Sequence, residues 1–277
     1  MHMKKGILYF LLLLLILFIP AKTVDLIVDK EEINEKEEKE IEWVENPSKD
    51  STKILETPKV IKPLNTSTST DSNWWEYPKD IYPTKRNGND LLVLVNKQYK
   101  LPSTYAPSDL VKASNSGIRR GEDYYLRNII IPDLTRMVID SKAEGIDLSI
   151  VSGYRSYQTQ VNTYNYWLSK NDNNVALVDT FSARPGHSQH QLGTVIDFSS
   201  NEIGDRLGDE FANTKASKWL IANAYKYGFV LSFPKGSESI TGYKFESWHY
   251  RYVGVQYARE VADSGQILEL YLRGNNP

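Results

Sequence analysis

In this 277-residue chain, apolar and polar residues recur with the spacing of folded structure only from about Asp90 onward. Upstream, apart from one N-terminal apolar run, charged residues, serine, threonine and proline dominate. The pattern then continues toward the C-terminus without an internal repeat. We therefore predict one folded domain over residues 80–277.

Three helices are predicted in this domain. The first starts at a proline, stops at a glycine and has apolar residues on one face: Pro132, Leu134, Met137, Val138 and Gly145. The second starts at a serine cap and has a similar face: Ser156, Val161, Tyr164 and Leu168. The third again ends at a glycine: Leu220, Ala224, Tyr227 and Gly228.

Short apolar runs between turn residues predict the strands: Leu91–Asn96, Leu148–Val151, Thr194–Ile196, Phe229–Phe233 and Trp248–Val253. The order of helices and strands lacks a regular strand–helix–strand alternation and a phosphate-binding loop. This order favours an α+β fold, with a small antiparallel sheet flanked by helices.

The N-terminal segment, residues 1–28, predicts export. Lys4 and Lys5 precede an apolar run from Ile7 to Ile19, which is shorter than the roughly 17–25 residues of a comfortable membrane span. The residues that follow the run form a poor cleavage site, so a cleaved signal peptide and an N-terminal membrane anchor both remain open. Either one would place the domain at the extracellular face of the cell envelope.

Residues 29–79 predict a disordered, solvated spacer. Acids and lysines dominate its first part, and serine, threonine and proline its second. Such a composition buries too little apolar surface to offset the entropy of ordering the chain. A spacer here would let the domain reach away from the membrane.

Composition excludes several kinds of chemistry. The 33 basic and 35 acidic residues give a net charge of -2, so no basic excess points to nucleic acid. The chain has no cysteine, which excludes disulfides, thiolate metal sites and a cysteine nucleophile. Histidine and carboxylate side chains must therefore hold any metal. The four histidines are His2, His187, His190 and His249.

Three short segments carry candidate chemistry. His190 precedes Asp197 by seven positions, and Glu246 precedes His249 by three. Arg155 lies at a predicted strand-to-helix junction, where side chains often face a ligand. Each segment alone also fits an ordinary structural role without catalysis: an exposed histidine and acid, or an arginine that caps nearby carbonyls.

Together, the three segments resemble the M15 family of zinc peptidases, most closely its VanY-type D-alanyl-D-alanine carboxypeptidases. They read SGYRSYQTQ (152–160), ARPGHSQHQLGTVID (183–197) and ESWH (246–249). The family pattern Ser-x-His-x-x-Gly-x-Ala-x-Asp is met except that Val195 replaces the alanine. Gln189 also stands where this branch commonly has glutamate. The resemblance covers roughly residues 80 to 260 and includes LLVLVNKQYKLPSTYAPSDLV (91–111).

The resemblance implies both a cofactor and residue roles. The zinc ligands would be His190, Asp197 and His249, bound at the face of the sheet in a fold shared with Hedgehog-type zinc domains. Glu246 would be the general base, and Arg155 would stabilise the transition state. Three nitrogen and oxygen ligands leave a fourth position open for water, as in catalytic zinc sites.

Further roles are assigned at the edges of this site. Substrate contacts are expected from Gln158, Ser188 and Trp248, and His187 is the alternative ligand to His190. The expected enzyme is a monomer that removes the C-terminal D-alanine from peptidoglycan stem peptides. An L,D-carboxypeptidase, an endopeptidase or a non-catalytic zinc-bearing module that binds the wall remain alternatives.

Overall fold

The computed structural model describes residues 73–277. The predicted signal or anchor segment, 1–28, and residues 29–72 of the predicted spacer lie outside the described residues. In the described part of the chain, none of the helices is both long and apolar enough to cross a membrane.

Eight short strands and seven α-helices occur in residues 73–277. The strands are β1 Tyr82–Pro83, β2 Tyr99–Lys100, β3 Leu110–Lys112, β4 Tyr125–Arg127, β5 Leu148–Ser152, β6 Val195–Ser200, β7 Phe229–Leu231 and β8 His249–Tyr252. The helices are α1 Ile131–Ala143, α2 Tyr157–Lys170, α3 Val175–Val178, α4 Lys215–Asn223, α5 Glu238–Thr241, α6 Val255–Ser264 and α7 Leu268–Gly274.

The main sheet has four strands in the order β5-β6-β8-β7, and every neighbouring pair is antiparallel. Two small two-stranded sheets, β1-β2 and β3-β4, lie outside it. The predicted α+β class, with a small antiparallel sheet and flanking helices, is therefore confirmed.

One face of the main sheet forms the hydrophobic core. Ile196 and Phe198 of β6 and Tyr250 of β8 join the core cluster, together with Leu134 of α1 and Leu220 of α4. Side chains alternate between the two faces of a strand. The odd-numbered neighbours on β6 and β8 therefore face the opposite side of the sheet, where polar residues gather.

The predicted strand Leu91–Asn96 is wrong, although residues 92–96 are buried and Leu91 is half-buried. Its side chains do alternate: Leu92 and Leu94 pack with α6 and α7, and Val93 packs in a separate cluster. The Arg251 guanidinium donates hydrogen bonds to the carbonyls of Leu91 and Val93. A side chain thus satisfies backbone groups that a neighbouring strand would otherwise have paired.

The predicted helices form with small changes at their ends. Pro132 lies in the first turn of α1, and the Ser156 hydroxyl caps α2 by accepting a hydrogen bond from the Thr159 amide. The third predicted helix is split into α4 and a 3₁₀ segment, Ala224–Tyr227. It ends at Gly228, as its sequence indicates.

Residues 74–77 belong to the range assigned to the spacer, but they contact the domain. The Tyr77 hydroxyl accepts a hydrogen bond from the Arg184 amide and lies 3.1 Å from the Tyr243 hydroxyl. The Lys97 ammonium donates to the Trp75 carbonyl at 2.8 Å. Packing against the domain therefore begins a few residues before position 80.

Candidate active site

Two of the expected metal ligands face each other across adjacent strands. Asp197 of β6 pairs directly with His249 of β8 in the antiparallel register. Ser152 of β5 pairs with Asp197 from the other side. Because directly paired residues project from the same face of a sheet, these side chains form one row on the face opposite the core.

The third expected ligand, His190, comes from the loop that leads into β6. It lies in a 3₁₀ turn, Gln189–Leu192, and the Ser188 hydroxyl accepts a hydrogen bond from its amide. Gly193 ends the turn with φ 70°, and a Cβ at this position would lie 3.0 Å from Arg127 Cγ. Glycine therefore allows the sharp reversal that places His190 above Asp197.

Hydrogen bonds fix which nitrogen of each histidine faces Asp197. His190 Nδ1 lies 2.7 Å from the Gly153 carbonyl, which can only accept, so Nε2 presents its lone pair 3.2 Å from Asp197 Oδ2. His249 Nε2 lies 3.2 Å from Gln189 Oε1, so its Nδ1 presents a lone pair 3.1 Å from Asp197 Oδ1. The partner on one ring nitrogen thus frees the other for a metal.

These three residues fit a zinc ion. Their ligand atoms all lie within 4.8 Å of one another, and the three side chains are buried. Among the described residues, none donates a hydrogen bond to Asp197 Oδ1, which is buried. Lone pairs that face one another without a proton require a cation. Tetrahedral zinc with bonds of about 2.0–2.1 Å holds its ligand atoms about 3.3 Å apart, close to the 3.2 Å and 3.1 Å that separate the two histidine nitrogens from the Asp197 oxygens.

Neighbouring groups set the charge of the Asp197 carboxyl. Burial works to raise its pKa, but His190 and His249, when they are protonated, outweigh burial and hold the pKa well below its usual range. Burial also lowers the pKa of His249, although Asp197 opposes this shift. Both effects favour the deprotonated forms that bind a metal.

A tight turn brings Glu246 to the same site. The His249 amide donates to the Glu246 carbonyl, which closes a four-residue turn immediately before β8. Glu246 Oε2 then lies 3.4 Å from His249 Nδ1. Burial raises the pKa of Glu246 well above its usual range, and Asp197 raises it further, whereas Arg155 lowers it. The carboxyl group lies beside the expected ligands and is suited to exchange a proton.

Arg155 is held at the start of α2 by three fixed contacts. Its guanidinium donates to Gln160 Oε1 and to the Ser152 hydroxyl, both at 3.0 Å. Its amide donates to the His190 carbonyl at 3.1 Å. Burial lowers the pKa of Arg155, while Asp197 and Glu246 raise it. The result is an oriented cation next to the ligand cluster.

The expected substrate contacts are placed differently from one another. Ser188 and Trp248 line a cleft of about 850 Å³ that also contains the expected ligands. Gln158 instead points to solvent, where it donates to Asn162 Oδ1. Gln160 takes the inner position and lines the cleft. Two residues along a helix correspond to a rotation of about 200°, so 158 and 160 face opposite sides of α2.

His187 lies apart from the ligand cluster, in the wall of the same cleft. Its Nδ1 donates to the Asn96 carbonyl at 2.8 Å, and its ring packs edge-to-face against Tyr77. The structure therefore brings His190, and not the alternative ligand His187, together with Asp197 and His249.

Two supporting residues were not predicted from the sequence. Gln189 Oε1 accepts a hydrogen bond from Ser232 at 2.8 Å and is the partner of His249. Gln160 donates to the Ala183 carbonyl at 2.6 Å while it accepts from Arg155. The position of Gln189 inside the histidine motif was the available signal, since its branch commonly has glutamate there.

Comparison with known proteins supports the resemblance to VanY-type carboxypeptidases that the three motifs carry. The profile of the family described as "VanY: D-alanyl-D-alanine carboxypeptidase" matches residues 123–255. The "Putative carboxypeptidase YodJ" of Bacillus subtilis (strain 168) is 39% identical over 222 residues, which cover 76% of this chain and 79% of that protein.

Solved structures also match the fold. The LdcB LD-carboxypeptidase has a TM-score of 0.62 and 39% identity, over 68% of this chain and 88% of that chain. The D,D-pentapeptidase VanY from a VanB-type resistance cassette, a mutant in complex with Zn(II), has a TM-score of 0.55 and 30% identity. That match covers 67% of this chain and 99% of the other. The protein therefore belongs to the VanY-type D-alanyl-D-alanine carboxypeptidase family, as its three motifs indicate.

Proposed function

We propose that this protein is a zinc-dependent carboxypeptidase that removes the C-terminal D-alanine from peptidoglycan stem peptides. One observation carries the proposal: the mostly buried Glu246 carboxyl group and the hydrogen-bonded Arg155 guanidinium flank three side chains that could hold a zinc ion, all in one cleft. A module that only bound zinc would need the ligands without Glu246 and Arg155.

Each flanking residue has a distinct task in hydrolysis. When bound, zinc supplies Lewis-acid polarisation and lowers the pKa of a water molecule toward neutrality. Glu246 Oε2 accepts a proton from the attacking water and delivers it to the leaving amine. The Arg155 guanidinium, held by Gln160 and Ser152, stabilises the negative charge that develops on the scissile carbonyl oxygen.

A second specificity is favoured by one comparison. The similar LdcB protein is an LD-carboxypeptidase at 39% identity, whereas the VanY pentapeptidase is 30% identical. An L,D-enzyme would release the terminal D-alanine of a tetrapeptide stem, and a D,D-enzyme that of a pentapeptide stem. Both reactions use the same ligands, base and arginine, so residues farther along the cleft must distinguish them.

We also propose that the protein acts outside the cell. Two lysines followed by an apolar run at the N-terminus support export, as either a secreted or a membrane-anchored enzyme. Its substrate, the cell wall, lies in the same compartment.

Release of D-alanine from synthetic stem peptides tests the proposal. We expect the purified protein to shorten a pentapeptide or a tetrapeptide by one D-alanine, as measured by mass spectrometry. A chelator should abolish the release, and added Zn²⁺ should restore it. Zinc-loaded, folded protein that releases D-alanine from neither peptide would refute the carboxypeptidase. Cleavage inside the stem would instead indicate the endopeptidase alternative.

A further inference from the structure

The cleft extends well beyond the zinc ligands, along one face of α2. Thr159, Thr163 and Trp167 of this helix line the cleft, as do Asn162 and Tyr166. These positions recur every three or four residues, the spacing of one helical face. The wall of the cleft therefore runs from the Arg155 end of α2 to the last turn of the helix.

An exposed aromatic cluster lies at the far end of this wall. Tyr166 is 53% exposed and Trp167 is 37% exposed, and the two rings are adjacent, so they form an apolar patch rather than two isolated exposed residues. Trp167 contacts Tyr166 and Phe181 edge-to-face, with ring centroids 5.2 Å and 5.5 Å apart. The contacts hold the rings in place, so they offer a fixed apolar surface to a ligand in the cleft.

The length of the helix sets the distance between this cluster and the reaction centre. From Tyr157 to Trp167, ten residues at 1.5 Å each span about 15 Å along the helix axis. An extended peptide rises about 3.3–3.6 Å per residue, so about four or five residues cover this distance. A pentapeptide stem whose C-terminal bond lies at Arg155 has four residues before that bond, and in an extended conformation these would bring its N-terminal end close to Trp167.

We propose that Tyr166, Trp167 and Phe181 form a subsite for a pyranose ring of the glycan strand to which the stem peptide is attached. This inference rests on the proposed function, because it takes the stem peptide as the substrate. The N-terminus of a stem peptide is linked to a sugar of the glycan strand. The distance of about 15 Å along α2 would place that sugar, rather than another amino acid, next to the aromatic rings.

The chemistry of the cluster suits a sugar. One face of a pyranose ring exposes C–H groups that pack on an aromatic ring, and its rim carries hydroxyl and amide groups. Lys170 Nζ lies 5.7 Å from the Tyr166 ring centre, and Lys244 Nζ lies 5.9 Å from that of Phe181. These ammonium groups provide hydrogen-bond donors beside the apolar surface. Stem peptides, in contrast, offer no aromatic side chain of their own.

A pair of matched substrates tests the subsite. One is the free stem peptide, and the other is the same peptide attached to its disaccharide. We expect full-length protein to show a higher kcat/KM on the attached peptide. Trp167→Ala should remove this preference, by about fivefold to tenfold, as expected from covering roughly 50 Å² of apolar ring surface. Trp167→Tyr should retain most of it, and Trp167→Ala should lower kcat/KM for the attached peptide more than for the free peptide.

Tyr82→Ala is the matched control, since Tyr82 is 46% exposed and lies on β1, outside the residues that line the cleft. It should leave the preference intact. Equal kcat/KM on the two substrates in the unmodified protein would overturn the subsite, as would a Trp167→Ala variant that keeps the preference. Loss of activity on both substrates, with an unchanged melting temperature, would also contradict it.

Binding separates this inference from the proposed function. In the Glu246→Gln variant, calorimetry should show tighter binding of the attached peptide than of the free peptide, and Trp167→Ala in that background should abolish the difference. This result supports the subsite even if the unmodified protein releases no D-alanine. Equal affinities would overturn the subsite and leave a carboxypeptidase activity standing.

Discussion

Among single residues, Glu246 is the one whose neighbours favour proton transfer over metal binding. Its carboxyl group is near the candidate ligands, but in the proposed site His190, Asp197 and His249 would already supply the three atoms of a catalytic zinc centre. Burial and the charge of Asp197 raise the pKa of Glu246, which suits the proposed role of accepting a proton and delivering it. A fourth protein ligand would close the position that a substrate must reach.

Replacement of Glu246 by glutamine separates proton transfer from metal binding. The amide keeps the shape of the side chain but cannot accept the proton, so turnover should fall by about a hundred- to ten-thousand-fold. Zinc content, measured by metal analysis of the same sample, should stay at one ion per chain. Normal turnover with zinc bound would contradict the role of base, and loss of zinc would identify Glu246 as a ligand.

For helices and strands, the predictions from sequence agree with the structure where neighbouring residues determine where an element begins or ends. Pro132, Ser156 and Gly228 mark helix ends through their own backbone and side-chain chemistry, and the structure follows them. The candidate ligands could be named because the three motifs carry the family resemblance. Their convergence also has a simple cause, since antiparallel pairing places Asp197 opposite His249.

The sequence does not predict local structure or side-chain contacts correctly where a residue far along the chain determines them. The segment 91–96 has the alternation of a strand, but Arg251, far along the chain, bonds its carbonyls instead. The sequence analysis expected a substrate contact from Gln158, but the rotation of α2 relative to the cleft, which depends on packing, places Gln160 in the cleft wall. The contact between Gln189 and His249 joins a 3₁₀ turn to a strand, and no local pattern reports it.

The contact between Gln189 and His249 should contribute to zinc affinity, because it orients a candidate ligand. Gln189→Leu removes the oxygen that orients His249 and accepts from Ser232, so zinc affinity should fall about ten- to a hundredfold. Gln189→Glu keeps an acceptor at the same place and should bind zinc at least as tightly as the unmodified protein. Competition with a coloured chelator measures both affinities. Unchanged affinity in Gln189→Leu would show that His249 does not depend on this partner.

At the scale of the whole molecule, His187 connects three parts of the domain. It precedes the motif turn, bonds the irregular segment through the Asn96 carbonyl and packs on Tyr77 near the N-terminal boundary. Burial lowers the pKa of His187 from 6.5 to about 4, and nearby Lys100 and Arg184 add to this shift, although the bond to Asn96 opposes it. The folded domain therefore holds this ring neutral at pH values where the unfolded chain protonates it.

The pH dependence of stability follows from this difference. Between pH 6.5 and about 4 the unfolded state binds a proton that the folded state does not, so the free energy of unfolding falls as the pH is lowered. The loss attributable to His187 is at most about 3 kcal/mol. In His187→Gln, position 187 no longer titrates, so urea unfolding of metal-free protein should lose less stability over this range. Tyr77→Phe keeps the ring that packs on His187 but removes the hydroxyl that bonds Arg184 and Tyr243, so it perturbs the surroundings of His187 without removing a group that titrates in this range, and it should keep the original slope. Identical slopes in His187→Gln and the unmodified protein would mean that His187 is protonated in the folded domain.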